Sequence, residues 1–120
     1  MLSLPPSVRI FVARAPVDMR RSIDGLAAAV MDVVDEDPQS GHFFVFFNRR
    51  RTHVKCLVWE RSGYWVHYKR LEHGRSRVFD RVSEKDAAFH LQAHELLLVL
   101  EGLDLRGSRR IPSHDELRRA

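Results

Sequence analysis

The residues of this chain best suited to chemistry are cations set among aromatic rings. "NRRRTHVK" places Arg49, Arg50 and Arg51 in a row and follows them with Lys55. Further on, "YWVHYKR" brings Lys69 and Arg70, and "EHGR" brings Arg75. Phe44 and Phe46 precede the triplet, and Trp59 and Trp65 lie between the two lysines. A guanidinium binds phosphate through a planar fork, and a flat ring stacks on a base. Together the two residue types suit a polyanion that carries rings. Three consecutive cations at a turn gain nothing from packing, whereas a basic tip can clamp a phosphate backbone or enter a groove.

Strands must position these residues. His42–Phe47, Thr52–Glu60 and Tyr64–Leu71 read as three of them, joined by "NRRR" and "RSG", both short enough for hairpins. If Asn48 pairs with Arg51, Phe46 faces His53 and Phe44 faces Lys55. If Glu60 pairs with Tyr64, Trp59 faces Trp65, Leu57 faces His67 and Lys55 faces Lys69. One face then carries His42, Phe44, Phe46, His53, Lys55, Leu57, Trp59, Trp65, His67, Lys69 and Leu71. The other carries Phe43, Val45, Phe47, Val54, Cys56, Val58, Tyr64, Val66 and Tyr68, and must be core beneath a helix. Two lysines directly opposite each other repel, a penalty that an anionic ligand removes. The structural alternative puts the mixed face under the C-terminal helix or a second subunit, with lysine stems reaching outward.

The remaining elements are simpler. Val8–Ala13 reads as a first strand. Asp18 suits the N-cap of an amphipathic helix over about Met19–Val34, with Met19, Ile23, Leu26, Val30 and Val33 at steps of three and four. Gly25 is its weak point, and "DEDPQSG" ends it. Ser76–Phe79 suggests a further strand, and Ser83 could cap one helical turn. "FHLQAHELLLVLEG" starts extended and becomes a helix over about Gln92–Glu101, with Gly102 as C-cap. This helix is apolar enough to pack on the sheet or dock a partner. The expected fold is α+β: a mostly antiparallel four- to five-stranded sheet, packed by one N-terminal helix and closed by a C-terminal helix. Residues 1–105 form a single domain, and residues 106–120 a basic, flexible tail carrying Arg106, Arg109, Arg110, Arg118 and Arg119.

Composition sets outer bounds. At 120 residues, 44% apolar and 30% charged, the chain is one folded domain rather than a disordered polymer. Its net charge of +4 rests on arginine far more than lysine, which fits phosphate binding and equally a GC-rich coding bias. No apolar run approaches the ~20 residues of a membrane span, and the start lacks the pattern of a secretory signal. Cys56 is the one cysteine, so no internal disulfide forms, in keeping with a reducing cytoplasm.

Catalytic and metal signatures are not apparent. Asp35, Glu36 and Asp37 crowd one turn, and Asp18 and Asp24 are explained by capping and solvent. The acid that a restriction-type nuclease places two residues before its lysine is replaced by His53 before Lys55 and His67 before Lys69. His90 and His94 have one-turn spacing, but "HLQAHE" matches neither zinc-protease order. His42, His53 and His67 share the mixed face without a carboxylate or thiolate, and Cys56 reads as a small core residue. The sequence implies no enzyme, no metal site and no cofactor.

Four blocks in order carry a family resemblance: "DMRRSIDGLAAAV" (Asp18–Val30), "SGHFFVFFNRRRTHVKCLVWE" (Ser40–Glu60), "GYWVHYKRLEHGR" (Gly63–Arg75) and "LLLVLEGLDL" (Leu96–Leu105). Across about Ile10 to Leu105 they resemble the TnpB-type accessory protein, encoded by the second open reading frame of the bacterial insertion-sequence family numbered sixty-six. This is not the RNA-guided nuclease that shares the TnpB name. Two departures are the Val58-Trp59 pair, where the family usually has two tryptophans, and Arg51, where it commonly has glycine. The resemblance implies a protein encoded beside a larger transposase and needed for efficient transposition, with no catalytic residues to carry over. The family's basic blocks correspond here to Arg20, Arg21, Arg49, Arg50, Lys55, Lys69, Arg70, Arg75 and Arg77. The implied partners are DNA at the insertion-sequence ends, the cognate transposase and other element-encoded proteins; the apolar C-terminal helix separately leaves room for a homodimer. The resemblance does not choose between gripping DNA and gripping the transposase.

Overall fold

The computed structural model describes residues 7–81 and 86–101. Strands Ile10–Ala13 (β1), Phe43–Phe47 (β2), His53–Glu60 (β3), Gly63–Arg70 (β4) and Ala88–Leu91 (β5) form one sheet in the order β4-β3-β2-β1-β5. β1 runs parallel to β2, and the other three pairings are antiparallel. A parallel pair needs a crossover. Helix α1 (Ile23–Ala29), extended by a π-helical turn over Val30–Val34, supplies it. A second helix, α2 (Ala93–Glu101), follows β5 almost at once. The α+β class, the mostly antiparallel sheet and the two helices agree with the sequence reading.

"IFVA" and "FFVFF" are apolar at every position, and every residue of β1 and β2 is buried. Such strands belong in a sheet centre covered on both faces. Phe11, Phe44, Phe46 and Leu57 pack against Leu26, Ala29 and Val30 of the α1 segment. Ile10, Val12, Phe43, Val45, Phe47, Val54 and Cys56 point the other way, into a cluster with Val78, Phe79 and Leu96 of α2. Burial of each phenylalanine contributes about 2–3 kcal/mol. The first helix therefore covers the Phe44/Phe46 face, not the Phe43/Val45/Phe47 face to which alternation assigned it. With both sides of β2 oily, alternation carries no polarity, and the path of the crossover decides.

Register gives the second correction. Across β2 and β3, Phe44 faces Leu57 and Phe46 faces Lys55, so the loop is four residues, Arg49 to Thr52. That differs from the expected pairing by two and keeps every side chain on its expected face. Across β3 and β4, Glu60 faces Gly63, Trp59 faces Tyr64, Val58 faces Trp65, Lys55 faces Tyr68 and Val54 faces Lys69. The loop is Arg61-Ser62 alone, one residue shorter than "RSG". A slip of one reverses the whole strand. Lys69, Trp65 and His67 thus leave the Lys55 face, and Tyr64, Val66 and Tyr68 join it. Lys55 and Lys69 do not oppose each other. Arg61 adopts the positive φ, 55°, that a two-residue hairpin loop requires at its first position.

The helix starts later than expected. Asp18 is not its N-cap: its carboxylate accepts the Arg20 backbone N–H at 2.8 Å, and Arg21 N–H donates to the Asp18 carbonyl at 3.0 Å. This tight turn competes with the helical ladder, and Ser22 becomes the N-cap. Ser76–Phe79 is not a strand either. The Ser76 hydroxyl accepts Val78 N–H, and a 3₁₀ turn follows over Val78–Arg81. At α2, Gln92 N–H donates to the Glu95 side chain at 2.9 Å, half of a capping box. Wholly buried Leu96 sets α2 against the sheet. Ser83, Gly102 and the basic tail 106–120 lie outside the described residues. Among the described residues no helix is long and apolar enough to cross a membrane.

Candidate functional site

The expected basic and aromatic residues fall into separate places. Phe44 and Phe46 are wholly buried under α1 and have no face to offer a base. Trp59 is half-buried, with its ring edge-on to Tyr64 at 5.0 Å. Trp65 is 57% exposed but lies on the opposite side of the sheet, beside His67. Lys69 is exposed on that same opposite side. Arg70 is exposed and ion-paired to Glu72 at 2.7 Å, and Arg75 is exposed beyond it. A single continuous aromatic and basic sheet face does not exist, because β4 presents its other side.

The β2–β3 tip holds together better. Asn48 organises it: the side-chain oxygen accepts Thr52 N–H at 2.9 Å and His53 N–H at 3.0 Å. Arg51 N–H donates to the Asn48 carbonyl. Arg51, at φ 60°, turns back on its own chain, its guanidinium 4.2 Å from the centre of the Phe79 ring, and its carbonyl accepts Ser76 N–H. The expected triplet is therefore a pair plus an anchor. Arg49 and Arg50 are exposed, and among the described residues neither has an ion-pair partner.

These two arginines border a groove of about 490 Å³. Pro16, Val17, Asp18 and Met19 form a wall of it, and His53 and Tyr68 also line the groove. Lys55 fastens that wall to the sheet. Its ammonium donates to the carbonyls of Met19 at 2.7 Å and Arg21 at 2.8 Å and sits 4.9 Å from the centre of the Tyr68 ring. Carbonyls outside the helical ladder need donors, and a lysine inside the sheet provides them. Lys55 is thus a clasp, with its charge near the groove but two of its three donors engaged. Arg20 and Arg21 sit on the fastened turn, both exposed. Arg20 grips Asp18 through Nε and Nη2, with a shortest contact of 2.7 Å. Those hydrogen bonds hold the Asp18 carboxyl down at about 2.

Tyr68 is the residue that sequence reasoning missed. Alternation in the expected register puts it on the oily face, yet it is 55% exposed and lies 6.0 Å from His53. Reading Arg61-Ser62 as a two-residue loop would have placed it opposite Lys55. Neither residue is the usual glycine or asparagine of that loop, so the signal was weak.

Among the described residues the histidines do not converge. His42 Nδ1 accepts Arg9 N–H at 2.9 Å, His53 contacts the Thr52 hydroxyl at 2.8 Å, and His67 faces the other way. His90 lies in β5 and His94 in α2, so they share no helix face. Among the described residues no three metal-ligating side chains gather. Burial pushes the Cys56 thiol up to about 12, which leaves it a core residue with little nucleophilic character.

A five-stranded sheet with a crossover helix, a basic hairpin tip and a groove at its base defines a small α+β domain. The chain belongs to the IS66 Orf2-like protein family, whose model matches residues 8–110. Two proteins of Sinorhizobium fredii (strain NBRC 101917 / NGR234) are similar to it. One, y4jC, is 38% identical over 112 residues, 93% of either chain. The other, y4hO, is 31% identical over 106 residues, 88% of this chain and 90% of that one. Both carry the description "uncharacterized protein". No solved structure matches the chain.

Proposed function

We propose that the chain is a non-enzymatic accessory protein of DNA transposition that binds DNA through the Arg49–Arg50 tip, acting in the bacterial cytoplasm beside its transposase. The observation that supports this reading most is the commitment of the neighbouring cations. Arg51, Lys55, Arg20 and Arg70 are each engaged within the fold, whereas Arg49 and Arg50 project from an ordered turn. Side chains without an internal partner break no existing ion pair when a phosphate takes them. Arg21 on the facing turn extends the same positive edge. Labelled insertion-sequence ends should bind with affinity that falls steeply as salt rises. The Arg49→Ala/Arg50→Ala double variant should lower the log–log salt slope by about 1.8, two duplex phosphate contacts at ~0.9 each. An unchanged slope and affinity would sink the reading.

A second reading, an adaptor that docks the transposase without touching DNA, draws on Trp65. A tryptophan 57% exposed on an edge strand, away from the basic groove, suits a protein interface better than a phosphate backbone. Under that reading the transposase co-purifies with the wild-type chain and is lost with Trp65→Ala, while the double arginine variant retains it.

A further inference from the structure

We infer that the groove beneath the β2–β3 tip takes one unpaired nucleotide, its base against Tyr68 and its phosphate against Arg49 and Arg50. This rests on the nucleic-acid reading above and adds which form of nucleic acid the site admits.

Size is the first argument. A groove of about 490 Å³ lies in the lower part of the ~300–1,000 Å³ range of small-molecule sites. It offers room for a nucleotide and none for a duplex. The chemistry of the lining is divided in the same way as a nucleotide. Pro16, Val17 and Met19 provide apolar surface, His53 and Tyr68 provide rings, and Arg49 and Arg50 provide cations. Asp18 also lines the groove, but its carboxylate is held in the ion pair with Arg20. The arginines therefore suit the phosphate, and the rings and apolar surface suit the base.

Tyr68 is prepared for stacking. It stands on a regular strand, with the Lys55 ammonium 4.9 Å from its ring centre and His53 on its flank, yet 55% of it remains exposed. A ring held in place gives up little conformational freedom when a base stacks on it. Bases inside a duplex already stack on one another, so only a single-stranded or extruded base can use such a platform.

The test is fluorescence anisotropy of the full chain with a labelled single-stranded oligonucleotide and with the matching duplex, across a salt series. The wild type should bind the single strand more tightly than the duplex. Tyr68→Leu, which keeps apolar bulk but removes the ring, should weaken single-strand binding by about ten- to a hundred-fold. Tyr68→Phe should retain it, which also guards against a folding defect. The salt slope should stay unchanged in both, because tyrosine carries no charge. Duplex preference, or equal single-strand binding by wild type and Tyr68→Leu, overturns the inference. Binding that depends on Arg49 and Arg50 would still leave the broader reading standing. Salt-insensitive or negligible binding of both DNA forms sinks the two together.

Discussion

The two hairpins share β3 and differ in almost everything else. The β2–β3 loop has four residues, organised by Asn48, and carries Arg51 in the left-handed region at φ 60°. The β3–β4 loop has two residues and carries Arg61 there at φ 55°. Arg51 has compensation for its backbone, a ring beneath its guanidinium and a carbonyl bond to Ser76. Arg61 is exposed, and among the described residues its side chain has no partner. Loop length mattered more than loop composition. A shift of two in the first pairing keeps the faces intact, while a shift of one in the second exchanges Lys69 for Tyr68. The first hairpin places a functional candidate at its tip, and the second supplies the ring at its base.

The largest expected effect falls where the two hairpins meet. Lys55 faces Phe46 across one and Tyr68 across the other, and it ties down the Met19 and Arg21 carbonyls. Lys55→Met should cost about 1.5–2 kcal/mol in denaturant unfolding, at the lower part of the range for charged hydrogen bonds because the bond to the Arg21 carbonyl is exposed. No loss of stability would show that the clasp is incidental. Next come the two left-handed arginines. Arg61→Gly should stabilise by about 0.5–1 kcal/mol, since relief of the backbone outweighs the entropy that glycine loses. Arg51→Gly should gain nothing, or lose up to ~1 kcal/mol, because the Phe79 contact goes with it. Equal gains from both would erase the contrast between the loops.

The smallest effect is electrostatic and sits beside the first tip. Asp18 has its carboxyl depressed to about 2 from an ordinary 3.8, chiefly by hydrogen bonds from Arg20. Its stabilising contribution is therefore fully present above about 3.8 and disappears as pH falls through about 2. A carboxyl-detected NMR titration should place its inflection near the lower value, and Arg20→Ala should return it toward the upper one.

Much of this molecule was legible as a string. The "IFVA" and "FFVFF" runs, the Leu26–Val30 stripe and the late apolar helix yielded the fold class and most strand positions, because burial selects residue types directly. The triplet at a turn was also visible, because three adjacent cations have no reason to be core. The start of α1 was not, since Asp18 serves a turn as readily as a cap and only Lys55, distant in sequence, favours the turn. Trp65 and Tyr68 were misassigned for a similar reason: on an exposed edge strand no hydrophobic pattern reports the facing.

Taken alone, the amino-acid order determined which segments are oily, which turn is basic and which family blocks occur, all properties of residue type and local spacing. Tertiary structure decided which aromatic joins the cations, which arginines are committed and where a groove opens. Those outcomes depend on a single peptide unit of register and on contacts between residues tens of positions apart, and local chemistry encodes neither.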